Sequence, residues 1–528
     1  MKVSSINLIT IMNKEIKSFI RNVERMCIFL LIFTFFISCA SIVQYPELYH
    51  DDYGPSHYVR RNRAIEEFRA QVDEWAGIPE FRPANIGIYI ENPKTREVIY
   101  SRNPHKLFMP ASNMKLFTTA SAIALLGPDY TYKTGLYVDG EIQDSVLKGN
   151  LIIRGSGDPT ISGRYNNGDA LEVFKEWGEA LKEKGIKSID GTIIGDDNIF
   201  DDVGLGYSWA WDDESYYYAA QISGLSFNDN CIDLFFVPSK NIGENATIFT
   251  YPKTGYIEIT NDLITVPADS QKLIDFYRFP GTNRIRIFGT IPINSDTLKD
   301  WATVENPTLF ILTVFKETLE NIGVSINNIS DIDDLLIENP SYDKLELIAV
   351  HESVPMSEIV KTINKKSQNF YAEQVQKTLG VELKGKGDWK SGINTEKDWF
   401  SKIGIDPNKI FIVDGSGLSR HNMVTPFQVA TVLRTMKYNS NWKVFFDSLP
   451  IGGIDGTLEK RLEGSNAVGH VFAKTGYIGH VRSLSGYVDA KCGKEYIFSI
   501  MVNHYPTPTS VVNEMQDAIV TLLYNLDY

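Results

Sequence analysis

The chain is poor in cysteine, in positive charge and in long apolar runs. Only four of its 528 residues are Cys, at positions 27, 39, 231 and 492. Four scattered thiols make neither a disulfide framework nor a zinc-binding spacing, although one bridge between Cys231 and Cys492 stays open. Acidic residues outnumber basic ones, 66 to 52, for a net charge of −14. That balance argues against a nucleic-acid partner. The sequence shows no repeat, low-complexity tract, phosphate-cradling glycine loop or metal cluster, so no metal and no cofactor is expected. The apolar run from Cys27 to Ile37 is too short to span a bilayer comfortably.

That short run is still informative. Lys14, Lys17, Arg21 and Arg25 precede it, and Phe36-Ile37-Ser38-Cys39-Ala40 closes it. A positive segment before an apolar one reads as an export signal over residues 1–38. The closing residues resemble a bacterial lipobox, in which the Cys carries the lipid. Cys39 is therefore the expected lipidation site and 39–57 a tether. The expected location is the bacterial cell envelope, on the periplasmic side, with the membrane as a partner through the anchor.

The remainder has an ordinary globular composition, 43% apolar and 22% charged, and enough length for more than one domain. Helical periodicity is predicted for 62–76, 356–366, 370–379, 394–403 and 424–438. The chain is expected to finish as strand, strand and helix over 480–488, 495–503 and 510–526. Between these regions, residues 131–347 carry short alternating strands separated by Gly, Asp and Asn turns, with one helix at 308–323. We read 58–130 and 348–528 as one domain and 131–347 as a β-rich insertion of one or two subdomains. The Trp209–Tyr218 aromatic run reads as packing between inserted domains, or alternatively as a sugar-stacking surface.

The chemistry centres on Ser112 and Lys115, a Ser-x-x-Lys pair at the start of a helix. Residues three apart share a helix face. A Ser hydroxyl needs a neighbouring base to become a nucleophile, and a Lys serves as that base only if burial or nearby cations lower its pKa. The pair alone decides little, because Ser145/Lys148, Ser341/Lys344 and Ser440/Lys443 repeat it. Two further elements supply the context. Ser367-Gln368-Asn369 lies between two helices. There Ser367 can relay a proton to a leaving amine, and Asn369 can hold both Lys115 and a substrate carbonyl. Lys474-Thr475-Gly476-Tyr477 leads into a strand. Lys474 and Thr475 suit a substrate carboxylate, Gly476 permits close backbone approach, and the Tyr477 N–H can join that of Ser112 in an oxyanion site. A decoy exists, since Lys253-Thr254-Gly255-Tyr256-Ile257 repeats the letters of Lys474–Ile478, and Ser226/Asn228 precedes it. Pro252 and the short spacing mark residues 252–255 as a hairpin turn instead. His480 is expected to line the site or pack. The Gly415-Ser416-Gly417 segment reads as a loop framing the cleft. Asp201 and Asp202 are candidates to meet a charged peptide residue.

Ser-x-x-Lys, Ser-x-Asn and Lys-Thr-Gly in this order resemble the penicillin-binding proteins and serine β-lactamases. The resemblance is closer to the D-alanyl-D-alanine carboxypeptidase/endopeptidases of penicillin-binding protein 4 type, peptidase family S13. It is carried by Pro110–Lys115, Gly155-Ser156-Gly157-Asp158-Pro159, Asp190–Ile193, Trp209–Asp213, Lys366–Asn369, Asp414–Asn422 and Ala473–Gly476. The resemblance implies an α+β fold: a transpeptidase-like antiparallel sheet flanked by helices, with the large insertion between Lys115 and Ser367. It implies cleavage of terminal D-Ala from peptidoglycan stem peptides through an acyl-enzyme, with β-lactam antibiotics as inhibitors. Tyr477-Ile478-Gly479-His480 departs from the Ser-Leu usual after Lys-Thr-Gly, which bears on substrate detail. The alternatives are a serine β-lactamase and a catalytically idle peptidoglycan-binding lipoprotein. The intact motifs oppose the idle version and the size of the insertion opposes the β-lactamase.

Overall fold

The computed structural model describes residues 63–335 and 340–527. The export signal, the tether and Cys39 lie outside the described residues. Among the described residues, sixteen strands follow in chain order. They are β1 (Asn85–Glu91), β2 (Val98–Arg102), β3 (Lys133–Gln143), β4 (Val146–Arg154), β5 (Ser188–Asp196), β6 (Cys231–Val237), β7 (Thr247–Tyr251) and β8 (Glu258–Val266). Then come β9 (Leu273–Arg278), β10 (Arg284–Pro292), β11 (Leu298–Thr303), β12 (Ser325–Asp331), β13 (Glu346–Glu352), β14 (Val471–Ile478), β15 (Val481–Asp489) and β16 (Glu495–Asn503).

The sheet that positions the site has the order β14-β15-β16-β1-β2, and every neighbouring pair is antiparallel. It is buried on both faces, and the alternation of side chains along a strand explains how. Tyr496, Phe498, Ile500 and Val502 of β16 face a core shared with the helices Arg63–Ala76 and Thr509–Asn525. Ile497 and Met501 face the opposite core, built on the helices Met114–Leu125, Met356–Lys366, Asn369–Lys384 and Pro426–Lys437. The last of these starts as its Thr425-Pro426 sequence demands. The Thr425 side chain accepts from Gln428 N at 3.1 Å and the Gln428 side chain accepts from Thr425 N at 2.9 Å.

Residues between these parts build three more sheets, ordered β12-β5-β4-β3-β13, β11-β6-β7 and β8-β10-β9. They share a core of their own. This region is less purely β than its strand pattern suggests. β4, β5 and β12 run parallel to one another, and parallel neighbours need a crossover. The helix Glu172–Glu183 supplies the one between β4 and β5. The sequence reading missed this helix, although Val173, Phe174, Trp177 and Leu181 lie buried at helical spacing. Cys231 and Cys492 are both free thiols, so the bridge left open does not form. Among the described residues, no helix is long and apolar enough to cross a membrane.

Candidate active site

Ser112 sits on one tight turn, Ala111–Asn113, that feeds the helix Met114–Leu125. Two bonds fasten this turn to the sheet. Asn113 Nδ2 donates to the main-chain carbonyl of Lys474 at 2.8 Å, and Ser483 Oγ donates to the Pro110 carbonyl at 2.6 Å. Ala111 adopts φ +46° and Ser367 φ +58°, a left-handed backbone that costs a non-glycine residue on the order of 1–2 kcal/mol. At Ser367 that conformation makes the corner between the helices Met356–Lys366 and Asn369–Lys384.

Lys115 is fully buried, and its Nζ has three neighbours. Ser112 Oγ lies at 3.1 Å, Asn369 Oδ1 at 2.6 Å and the Ser416 carbonyl at 2.8 Å. The two carbonyl oxygens can only accept. A neutral amine therefore spends both N–H groups on them, and its lone pair is left facing the one partner able to donate, Ser112. Burial pulls the Lys115 pKa down to about 7, against the opposing pull of the Glu373 and Asp414 carboxylates. Lys474 is equally buried. Its Nζ donates to Ser367 Oγ at 2.9 Å and to the Thr475 carbonyl at 2.8 Å. Burial first, then the Lys115 and Arg482 charges, hold its pKa well below the usual ammonium range. For Lys115, burial and not the cation at Lys474 is the leading cause.

The reaching groups open into one cleft of about 580 Å³, lined among others by Ser112, Ser367, Asn369, Thr475 and Tyr477. Between the lining residues Thr475 and Tyr477, Gly476 lies against the Ser112 turn. A Cβ there would sit 2.1 Å from Ser483 Oγ, 2.7 Å from the Pro110 carbonyl and 3.1 Å from Ser112 N. The structure thus gathers Ser112, Lys115, Ser367, Asn369, Lys474, Thr475, Gly476 and Tyr477 in one place. The rival set is dispersed: Lys253 is exposed and Ser226 is buried under Gln374. Residues 252–255 do not form the expected hairpin, because β7 and β8 belong to different sheets and the segment crosses between them.

Of the two roles expected for His480, lining the site or packing, the structure has the second: it lies outside the cleft at the β14–β15 turn, its ring against Tyr505 and its Nδ1 3.0 Å from the Tyr505 carbonyl. The Trp209–Tyr218 segment packs on the catalytic elements and not only between inserted ones. Trp209 Nε1 donates to Asp414 Oδ2 at 3.0 Å, the Tyr218 carbonyl accepts from Asn369 Nδ2 at 2.7 Å, and Tyr217 and Tyr218 line the cleft. Asp201 pairs with Lys377 at 2.6 Å, and Asp202 lies in a separate depression. There the carboxylates of Asp197, Asp202 and Asp333 come within 4.8 Å of one another, a grouping that sequence spacing did not reveal. Sequence reasoning also missed Glu373 and the inward face of Asp414. The one available signal was Glu373 four residues after Asn369, on the same helix face.

The D-Ala-D-Ala carboxypeptidase 3 (S13) family model matches residues 68–526. The chain belongs to this family. The Ser112–Lys115, Ser367–Asn369 and Lys474–Gly476 motifs all fall inside the matched span. A D-alanyl-D-alanine carboxypeptidase of Actinomadura sp. (strain R39) is 32% identical over 479 residues, covering 87% of this chain and 85% of that one. The D-alanyl-D-alanine carboxypeptidase DacB of Haemophilus influenzae is 27% identical over 428 residues, 80% of this chain and 86% of its own. The crystal structure of penicillin binding protein 4 from the same organism superposes with a TM-score of 0.75 at 24% identity. It covers 86% of this chain and 99% of that chain, and it shows the fold.

Proposed function

We propose that this S13 chain is a serine-type D-Ala-D-Ala carboxypeptidase and endopeptidase acting on peptidoglycan stem peptides in the bacterial cell envelope. One observation carries the reading: Lys115 Nζ touches Ser112 Oγ while both of its N–H groups have carbonyl acceptors. Ser112 Oγ attacks the carbonyl carbon of the penultimate D-Ala, and its proton passes to neutral Lys115. The oxyanion forms beside the N–H groups of Ser112 and Tyr477. Ser367, bonded to Lys474, relays the proton held by Lys115 to the amine of the terminal D-Ala as the C–N bond breaks, so Lys115 is neutral again and Ser367 keeps its hydroxyl. Thr475 and Lys474 meet the substrate carboxylate, whose negative charge offsets the cost of a buried ammonium at Lys474. Water then attacks the ester, and Ser112 recovers its proton.

β-Lactam antibiotics acylate the same Ser112. Exposure to benzylpenicillin is expected to add one acyl group to the peptide containing Ser112. Ser112→Ala abolishes it, and Ser145→Ala, Ser341→Ala and Ser440→Ala do not. Labelling that survives Ser112→Ala overturns the assignment. An adduct lasting minutes marks the peptidase, and one lost within a fraction of a second marks a β-lactamase.

The sheet β14-β15-β16-β1-β2, distinct from the three sheets between its parts, supports residues 58–130 and 348–528 as the catalytic domain with 131–347 inserted, except that β13, Glu346–Glu352, pairs with β3 and carries the inserted sheet past that boundary to residue 352. The lipobox-like ending supports attachment through Cys39, with the export signal 1–38 removed. Cys39→Ser is then expected to release the protein from the membrane fraction or to stall its processing. A normally processed variant that stays on the membrane contradicts lipidation.

A further inference from the structure

Three successive backbone N–H groups beside the site point at two buried carboxylates. Gly415 N donates to Glu373 Oε2 at 2.9 Å, Ser416 N to Glu373 Oε1 at 2.7 Å, and Gly417 N to Asp414 Oδ1 at 2.8 Å. The carbonyls of the same stretch point the other way, onto the catalytic helix. The Gly415 carbonyl accepts from Thr118 Oγ1 at 2.8 Å and the Ser416 carbonyl from Lys115 Nζ at 2.8 Å. Glu373 is completely buried on the helix Asn369–Lys384, one turn after Asn369. So one helix supplies the Asn369 amide on one side of Lys115 and, through the loop, the carbonyl on the other.

We propose that Glu373 is a positioning residue for Lys115: it clamps the 415–417 loop so that the Ser416 carbonyl occupies one N–H of the amine and its lone pair stays aimed at Ser112. The proposal rests on the reading of Ser112 and Lys115 given above. Glu373 touches no reacting atom. Its effect is geometric, through the loop, and electrostatic, through a carboxylate that favours the protonated form of Lys115. Other charged groups face this cluster. Asp414 lies in the loop itself and Lys474 on β14, Glu396 comes from the helix Trp389–Lys402, and Lys377 lies one turn beyond Glu373. Trp389 Nε1 donates to Glu373 Oε2 at 2.7 Å and completes its shell.

The test is the pH profile of acylation by benzylpenicillin. In the unaltered protein the rate rises with pH as Lys115 loses its proton, with an acid limb near 7. Glu373→Gln keeps the size of the side chain but presents an NH₂ group to a backbone N–H, leaving a buried donor unpaired. The plateau rate is expected to fall at least ~30-fold. Burial pushes Glu373 itself up to about 7, so its charge is present over the upper part of the limb, where it raises the Lys115 pKa; with that charge gone, the acid limb is expected to move down. A merely structural role lowers the amount of active protein and leaves the limb in place. If the Gln variant does not fold, Trp389→Phe gives the same readout. Losing one N–H donor makes Glu373 easier to protonate, so the limb moves in the same direction by less. A limb unmoved in the variants that fold overturns the proposal. Absence of acylation in the unaltered protein instead removes the functional reading on which it rests, and the proposal with it.

Discussion

The indole of Trp209 holds the carboxylate of Asp414, Nε1 to Oδ2, at 3.0 Å. Trp209 belongs to the segment between β5 and β6 and Asp414 to the loop behind Lys115, so that segment is bonded to the loop. Asp414 is buried with three other donors, from Gly417 N, Ser419 N and Asn422 Nδ2. Trp209→Phe removes one donor and keeps most of the packing. A hydrogen bond to a charged group contributes about 1.5–3 kcal/mol. Acylation by penicillin is therefore expected to slow by roughly 10-fold or more. An unchanged rate would mean that the segment covers the loop without ordering it.

Gly476→Ala is expected to abolish acylation while the fold survives. The added methyl meets a hydroxyl that can rotate away, Ser483 Oγ at 2.1 Å, but also the fixed Pro110 carbonyl at 2.7 Å. The Ser112 turn must then shift, and a displacement of about 1 Å at the nucleophile costs ~100-fold in rate. Pairing the change with Ser483→Ala relieves only the first clash. The double variant is expected to remain inactive. Recovery would show that the hydroxyl alone sets the limit.

Glu396 gives a stability test independent of catalysis. Buried in full, it is pushed from 4.5 up to about 8, chiefly by burial, despite the bond it accepts from Gln376. Between those values the unfolded chain releases the proton that the folded chain keeps. Stability therefore falls by about 1.4 kcal/mol for each pH unit as pH rises through this window. Glu396→Gln removes the titration and still offers Gln376 a carbonyl acceptor. It is expected to be near neutral at pH 4.5 and stabilising by about 2 kcal/mol or more at pH 8, as read from denaturant midpoints. Equal effects at both values would show that Glu396 does not hold its proton.

How far these features are legible in sequence follows from their range. The β16 run Glu495–Asn503 and the Thr425-Pro426 helix start are local patterns, and both stand where periodicity and capping place them. The motifs of the site were legible because their chemistry is unusual in order as well as composition. Glu373 was not, because its partners lie 42 and 43 residues away on a loop whose path no local pattern fixes. The segment from Pro252 to Gly255 misled for a related reason. A proline and a glycine announce a change of direction but not whether the chain returns to the same sheet, and here it enters another.

That segment also supplies an internal control. Lys253 and Lys474 open the same five residues, so only the fold distinguishes them. Lys253 is exposed between two sheets, whereas Lys474 is buried, with Nζ 2.9 Å from Ser367 Oγ. Lys474→Ala loses a charge-assisted contact to substrate in the transition state, a cost of about 2–4 kcal/mol or ~30- to ~1000-fold in kcat/KM. Lys253→Ala is expected to change the rate less than about twofold and to alter stability by no more than ~0.5 kcal/mol. The measurement is D-Ala release from a pentapeptide across pH by both variants side by side. If Lys253→Ala proves the damaging change, Lys474 is not the cation of the site, and the assignment of the cleft around Ser112 fails with it.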